Sequence, residues 1–146
     1  MFRESKIMSI YYKKGFKYQL AETYRVEIRI KPLIDIKTEY IDLSTSGMLF
    51  VRKGYAFDGA SGPTIDDFFG TNSTRAALVH DSLYDLFRHE KLNREKYRII
   101  ADQIFRDMLR EDGMSRPRSW YYYKGVRTFG GKAASRAAIK KIFKAP

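Results

Sequence analysis

His80, Asp81, Tyr84 and Asp102 are the residues of this chain whose types and spacing suit chemistry. They lie in two runs, Ala76-Ala77-Leu78-Val79-His80-Asp81-Ser82-Leu83-Tyr84 and Ala101-Asp102-Gln103-Ile104-Phe105. An imidazole beside a carboxylate is the simplest general-base device. The carboxylate accepts from one ring nitrogen, fixes the tautomer, and leaves the other nitrogen free to take a proton. The same pair also serves a plainer purpose. An unpaired polar group in a core costs roughly 1 to 3 kcal/mol, so a buried histidine needs a partner whether or not it reacts. Asp81 sits about 100° round a helix from His80 and adds a carboxylate without competing for the same partner. Asp58, in the loop before that helix, supplies another. Two carboxylates with loop carbonyls make an all-oxygen set that suits calcium. Zinc fits poorly, because the chain has no cysteine and its only other histidine is His89. A phosphohydrolase of the HD type likewise needs more histidines.

Two helices position the pair. Ser73 or Thr74 caps a helix running to about Arg88, with Ala76, Val79, His80, Leu83 and Phe87 recurring along one face. A short connection, His89 to Leu92, leads to Asn93 as the next cap. The second helix runs to about Glu111, with Tyr97, Ala101, Ile104, Phe105 and Met108 on its buried stripe, and Gly113 closes it. Helices joined so briefly are antiparallel neighbours. His80 lies eight residues before Arg88 and Asp102 nine after Asn93. Both therefore stand about 12 to 14 Å from the connection, at matching heights. A third helix near Arg116 to Arg127 carries Trp120, Tyr123 and Val126 inward, and Gly130-Gly131 breaks it.

Ahead of the helices, residues 17 to 57 read as antiparallel strands. Apolar and charged residues alternate in Tyr24 to Ile30 and again in Glu39 to Leu43. Ser44-Thr45-Ser46-Gly47 turns the chain into Met48 to Val51, and Tyr55 to Phe57 is the last strand. The first sixteen residues add a strand or remain an arm. The fold class is α+β: an N-terminal antiparallel β-sheet or meander, then a three-helix C-terminal part with the His–Asp motif on an antiparallel pair. Residues 1 to 130 form one domain and 131 to 146 a basic tail.

At 146 residues and 44% hydrophobic content, the chain suits one domain with one core. No apolar run approaches the ~18 to 20 residues that cross a bilayer, and no apolar segment follows the N-terminus as in a signal peptide. The lack of cysteine excludes disulfides and fits a protein made in a cytoplasm. Net charge is +11, distributed unevenly. Residues 1 to 113 carry 19 Lys and Arg against 17 Asp and Glu, whereas residues 114 to 146 carry nine basic residues and no acidic one. That end, with Arg116, Arg118, Lys124, Arg127, Lys140 and Lys141, suits an anionic phospholipid surface or nucleic acid. It reads equally as a solvated tail. The run Trp120-Tyr121-Tyr122-Tyr123 necessarily points all round a helix, so part of it is core.

Two resemblances rest on these residues. Phe57-Asp58-Gly59-Ala60-Ser61-Gly62-Pro63, His80 to Tyr84, Arg98 to Phe105 and Gly125 to Gly130 resemble an uncharacterised family of small phage and prophage proteins. The same core is similar to the catalytic helices of phospholipase A2 of the prokaryotic and parvoviral types. There a calcium loop precedes His-Asp-x-x-Tyr on one helix and an Asp followed by x-x-Phe on its antiparallel partner. These positions read His80, Asp81, Tyr84, Asp102 and Phe105 here. The resemblance implies a calcium-dependent lipid esterase made in a phage host's cytoplasm. His80 would activate water, Asp102 would orient it, and Tyr84 would support Asp102. Calcium would be held by Asp81, Asp58 and carbonyls around Gly59. The alternative is a non-enzymatic phage virion or nucleic-acid-binding protein in which the His–Asp cluster is structural.

Overall fold

The structure, a computed structural model, describes residues 10–13, 16–57 and 73–135. They fall in two compact units, one of strands and one of helices. The architecture is α+β, as the periodicities predict.

Among the described residues seven strands run in chain order: β1 (Ile10–Lys13), β2 (Phe16–Leu20), β3 (Tyr24–Glu27), β4 (Ile36–Lys37), β5 (Ile41–Leu43), β6 (Met48–Val51) and β7 (Ala56–Phe57). All pairings are antiparallel, and they make two sheets: β1-β2-β7 and β3-β6-β5-β4. The first sixteen residues thus contribute strand β1 and the start of β2. The expected strand over 24–30 keeps its alternation, with Tyr24, Val26, Ile28 and Ile30 all buried, but its ladder stops at Glu27. There the Ile28 N–H turns instead to the Gly47 carbonyl, 2.8 Å away. Gly47 sits at φ +93°, and a Cβ on it would collide with the Ile28 carbonyl. The turn the sequence places at Ser44–Gly47 therefore needs glycine for two reasons, backbone handedness and space. Arg52 clasps Asp42 in a bidentate pair at 3.1 and 2.7 Å, and its guanidinium holds that carboxyl below the ordinary range.

The helical unit consists, among the described residues, of α1 (Thr74–Arg88), α2 (Arg94–Glu111) and α3 (Arg116–Ala133). α1 and α2 end within a residue or so of the expected boundaries. Ser73 occupies the N-cap of α1, but its buried hydroxyl caps nothing and has no partner among the described residues. Asn93 and Ser115 do cap α2 and α3, accepting from Lys96 N–H and Arg118 N–H. Two identical turns join the helices. After α1, Lys91 N–H bonds the Leu86 carbonyl and Glu90 N–H the Phe87 carbonyl. After α2, Met114 N–H bonds the Leu109 carbonyl and Gly113 N–H the Arg110 carbonyl. Both are Schellman closures, which place one residue at positive φ. After α2 that residue is Gly113, at +107°; after α1 it is Glu90, at +60°.

α1 is buried nearly all round, including Ala77, Leu78, Ser82 and Leu86 beyond the single stripe the sequence suggests. α2 lies between α1 and α3. Arg75, near the start of α1, pairs with Glu111 at 2.7 Å and with Asp112 at 3.2 Å at the end of α2, as antiparallel packing requires. α3 departs most from expectation. It does not break at Gly130-Gly131 but continues to Ala133. Its buried residues are Ser119, Tyr122 and Gly130; Val126 and Tyr123 are half-buried and Trp120 faces solvent. Small residues, not the bulkiest, decide which face is inward. Ser119 accepts from Arg110 of α2 at 2.9 Å, and Gly130 lets two side chains touch the helix backbone. Among the described residues no helix is long and apolar enough to cross a membrane.

Candidate active site

The matching heights predicted for His80 and Asp102 are realised. His80 Nε2 and Asp102 Oδ1 are 2.7 Å apart, and the Asp102 side chain is completely buried. His80 lies on the α1 face toward α2, its ring 4.7 Å from Phe105 and 4.2 Å from Tyr84, centre to centre. Tyr84, one turn further along α1, donates its hydroxyl to the same Oδ1 at 2.8 Å. Oδ1 thus takes both donors from α1.

Oδ2 is served by arginine. Arg127 of α3 donates from Nη1 at 2.8 Å, and Arg98, one turn before Asp102 on α2, brings Nε to 3.8 Å. Arg98 also donates Nε to the Tyr84 hydroxyl at 3.0 Å, and Nη2 to the Val126 and Arg127 carbonyls at 2.8 and 2.9 Å. Asp102 is therefore the meeting point of all three described helices. Gly130 makes the meeting possible, since a Cβ there would lie 2.6 Å from the Tyr84 hydroxyl and 3.1 Å from Arg98 Nη2.

The charge states follow. Burial pushes the Asp102 carboxyl up, but the hydrogen bonds from His80, Tyr84 and Arg127 outweigh it, and the net displacement is downward from 3.8. Asp102 is thus an ionised acceptor, so the proton in its bond to His80 sits on Nε2. The neutral ring then carries its lone pair on Nδ1, which has no hydrogen-bond partner among the described residues. Burial, followed by the Asp102 charge, pushes the Tyr84 phenol above its usual 10, which keeps it a donor. A buried carboxylate orienting a histidine whose other nitrogen meets no partner among the described residues is an arrangement suited to proton abstraction.

The remaining expected site residues can be placed only in part. Asp81 is half-buried and engaged in an interaction of its own. Asp58 and Gly59 lie outside the described residues, as do Lys140 and Lys141. Among the described residues no three His, Asp or Glu side chains converge to hold a metal, so Asp81 is the one ligand of the calcium set that can be placed. Of the basic residues on α3, Arg116 and Lys124 are exposed, Arg118 is half-buried, and Arg127 points its guanidinium at Asp102. Arg98, Arg127 and Gly130 are the members of the cluster that sequence reasoning did not place there. Arg98 had a signal, the four-residue spacing to Asp102 that brings opposite charges together on a helix. Arg127 had none, because nothing local in the sequence turns that side of α3 toward α2.

No curated protein and no solved structure matches the chain. One family model does, over residues 33–126, a span that contains His80, Tyr84, Arg98 and Asp102 and stops one residue short of Arg127. The chain belongs to that family, described as protein of unknown function (DUF1353).

Proposed function

We propose that the helical unit carries a hydrolytic site and that the protein is a phage-encoded, calcium-dependent lipid esterase of the phospholipase A2 type, made in the host cytoplasm. The observation that carries this reading is the bond between His80 Nε2 and a fully buried Asp102, with no partner for Nδ1 among the described residues. In the reaction Nδ1 takes a proton from water as the water attacks the ester carbonyl. The imidazolium then returns that proton to the alkoxide oxygen as the ester C–O bond breaks, releasing the alcohol and the carboxylic acid and restoring the base. Asp102 stabilises the imidazolium while it lasts, and Tyr84 and Arg127 keep its carboxylate from turning. Calcium, with Asp81, Asp58 and Gly59 as its proposed holders, would supply charge at the carbonyl oxygen. The test is turnover of a phospholipid with and without chelator, in wild type and in His80→Ala. The reading requires turnover that chelator abolishes and that falls at least about a hundredfold in the variant, the low end of what general-base removal costs. Hydrolysis that survives His80→Ala sinks it.

A second reading has its own observation. The bonds from His80 and Tyr84 of α1 and Arg127 of α3 make Asp102 of α2 a tie between three helices, a sufficient reason for a buried carboxylate in a non-enzymatic virion or nucleic-acid-binding protein. On that reading His80→Ala lowers stability and no hydrolysis is found in either protein.

A further inference from the structure

α3 presents to solvent a face that its inward packing does not use. Trp120 is 53% exposed and Tyr121 67%, while Arg116, Lys124 and Lys132 are exposed alongside them. At about 100° per residue these five fall within an arc of about 160°, opposite Ser119, Tyr122 and Gly130. Trp120 is flanked one turn away on each side by Arg116 and Lys124, and no acidic residue occurs in the helix. Large apolar side chains left in water on a cationic face call for a partner.

We propose that this face of α3 is a docking surface for an anionic lipid bilayer. Charge complementarity selects an anionic partner, and the arrangement of the aromatics selects a bilayer over nucleic acid. Lys124 Nζ lies 5.6 Å over the Trp120 ring, so one ring face is already covered by an ammonium group and closed to a stacking base. A single convex helix also offers no groove for a strand to follow, whereas non-sequence-specific binding of single strands relies on one. Indole and phenol rings beside lysine and arginine are the side chains that settle at the headgroup level, the rings among the upper acyl chains and the cations at the phosphates. The inference is independent of the hydrolytic reading, because it uses none of the residues around Asp102.

Trp120 is the only tryptophan in the chain, so its fluorescence reports on this face alone. The full chain is titrated with phosphatidylcholine vesicles containing phosphatidylglycerol, with pure phosphatidylcholine vesicles, and with oligothymidine, each over a salt series. The proposal expects a blue shift of Trp120 with the anionic vesicles, quenching by acyl-brominated lipid, reversal by salt and no response to the neutral vesicles. The double variant Arg116→Gln/Lys124→Gln should weaken partitioning about thirtyfold at low salt with its melting temperature unchanged, both residues being exposed. Sedimentation with anionic vesicles without any change in Trp120 emission would place the binding elsewhere and overturn the proposal. So would emission that responds to oligothymidine and not to vesicles, no binding to vesicles at all, or partitioning that the double variant leaves intact.

Discussion

Asp102 is a charge taken wholly out of water and repaired by donors from the two neighbouring helices and by the Arg98 charge on its own, and its replacement should be correspondingly severe. Asp102→Asn keeps the shape but leaves Arg127 and Arg98 facing a neutral amide; a loss of about 3 kcal/mol is expected in denaturant unfolding. Its pH dependence has a definite sign. The folded carboxyl ionises below its unfolded value of 3.8, so its contribution is complete above that value and disappears as pH falls below it toward the folded value. Wild type should therefore lose melting temperature more steeply than Asp102→Asn below about pH 4. Tyr84 runs the other way. Its folded pKa lies above the unfolded 10, so its contribution holds below pH 10 and fades as pH rises beyond it. Tyr84→Phe should cost about 2 kcal/mol at neutral pH, the size of a bond to a charged acceptor, and flatten the alkaline limb of the melting curve. The His80–Asp102 pair could be read from sequence because it depends on two local facts, a helix period and a short connection. Arg127 could not, because its place depends on how a third helix is rotated.

At the scale of elements, two glycines in α3 make opposite predictions. Gly125 has open space where a Cβ would go, so Gly125→Ala should stabilise by about 1 kcal/mol, the ordinary gain inside a helix. Gly130→Ala should instead destabilise by about 1 to 3 kcal/mol, because the added methyl meets the Tyr84 hydroxyl and the Arg98 guanidinium. Equal gains at both positions in thermal unfolding would mean that the contact between α3 and the Asp102 cluster is not formed. The two Schellman turns differ similarly. Glu90 holds the positive-φ place that Gly113 holds in the other, so Glu90→Gly should add up to about 1 kcal/mol. The same contrast explains what could be read at this scale. Alternation in Tyr24 to Ile30 and the three-and-four spacing of α1 and α2 are set by bulk, which hydropathy registers. The inward face of α3 is set by Ser119 and Gly130, whose merit is lack of bulk, so a reading that seeks large apolar residues turned Trp120 inward and took Gly130 for a break.

For the molecule as a whole, the calcium proposal has a readout besides turnover. If Asp81 helps hold the ion, millimolar calcium should raise the melting temperature, since a ligand that binds only the folded chain adds stability by mass action. Asp81→Asn should remove the rise, and an unchanged melting curve in wild type would count against the metal. The N-terminal strands and the helical trio were foreseeable as a class, each having its own period, whereas the division of the strands into two sheets was not, since alternation says which face is buried and nothing about which neighbour a strand takes. The three-helix tie at Asp102 also bears on descent. If the hydrolytic reading holds, a lineage that abandoned the reaction could give up His80, and with it the stability its one bond lends, yet would still need Asp102, Tyr84, Arg98 and Arg127 to keep the helices together. Relatives that retain those four but carry another residue at position 80 would then mark lineages in which the tie had outlived the reaction.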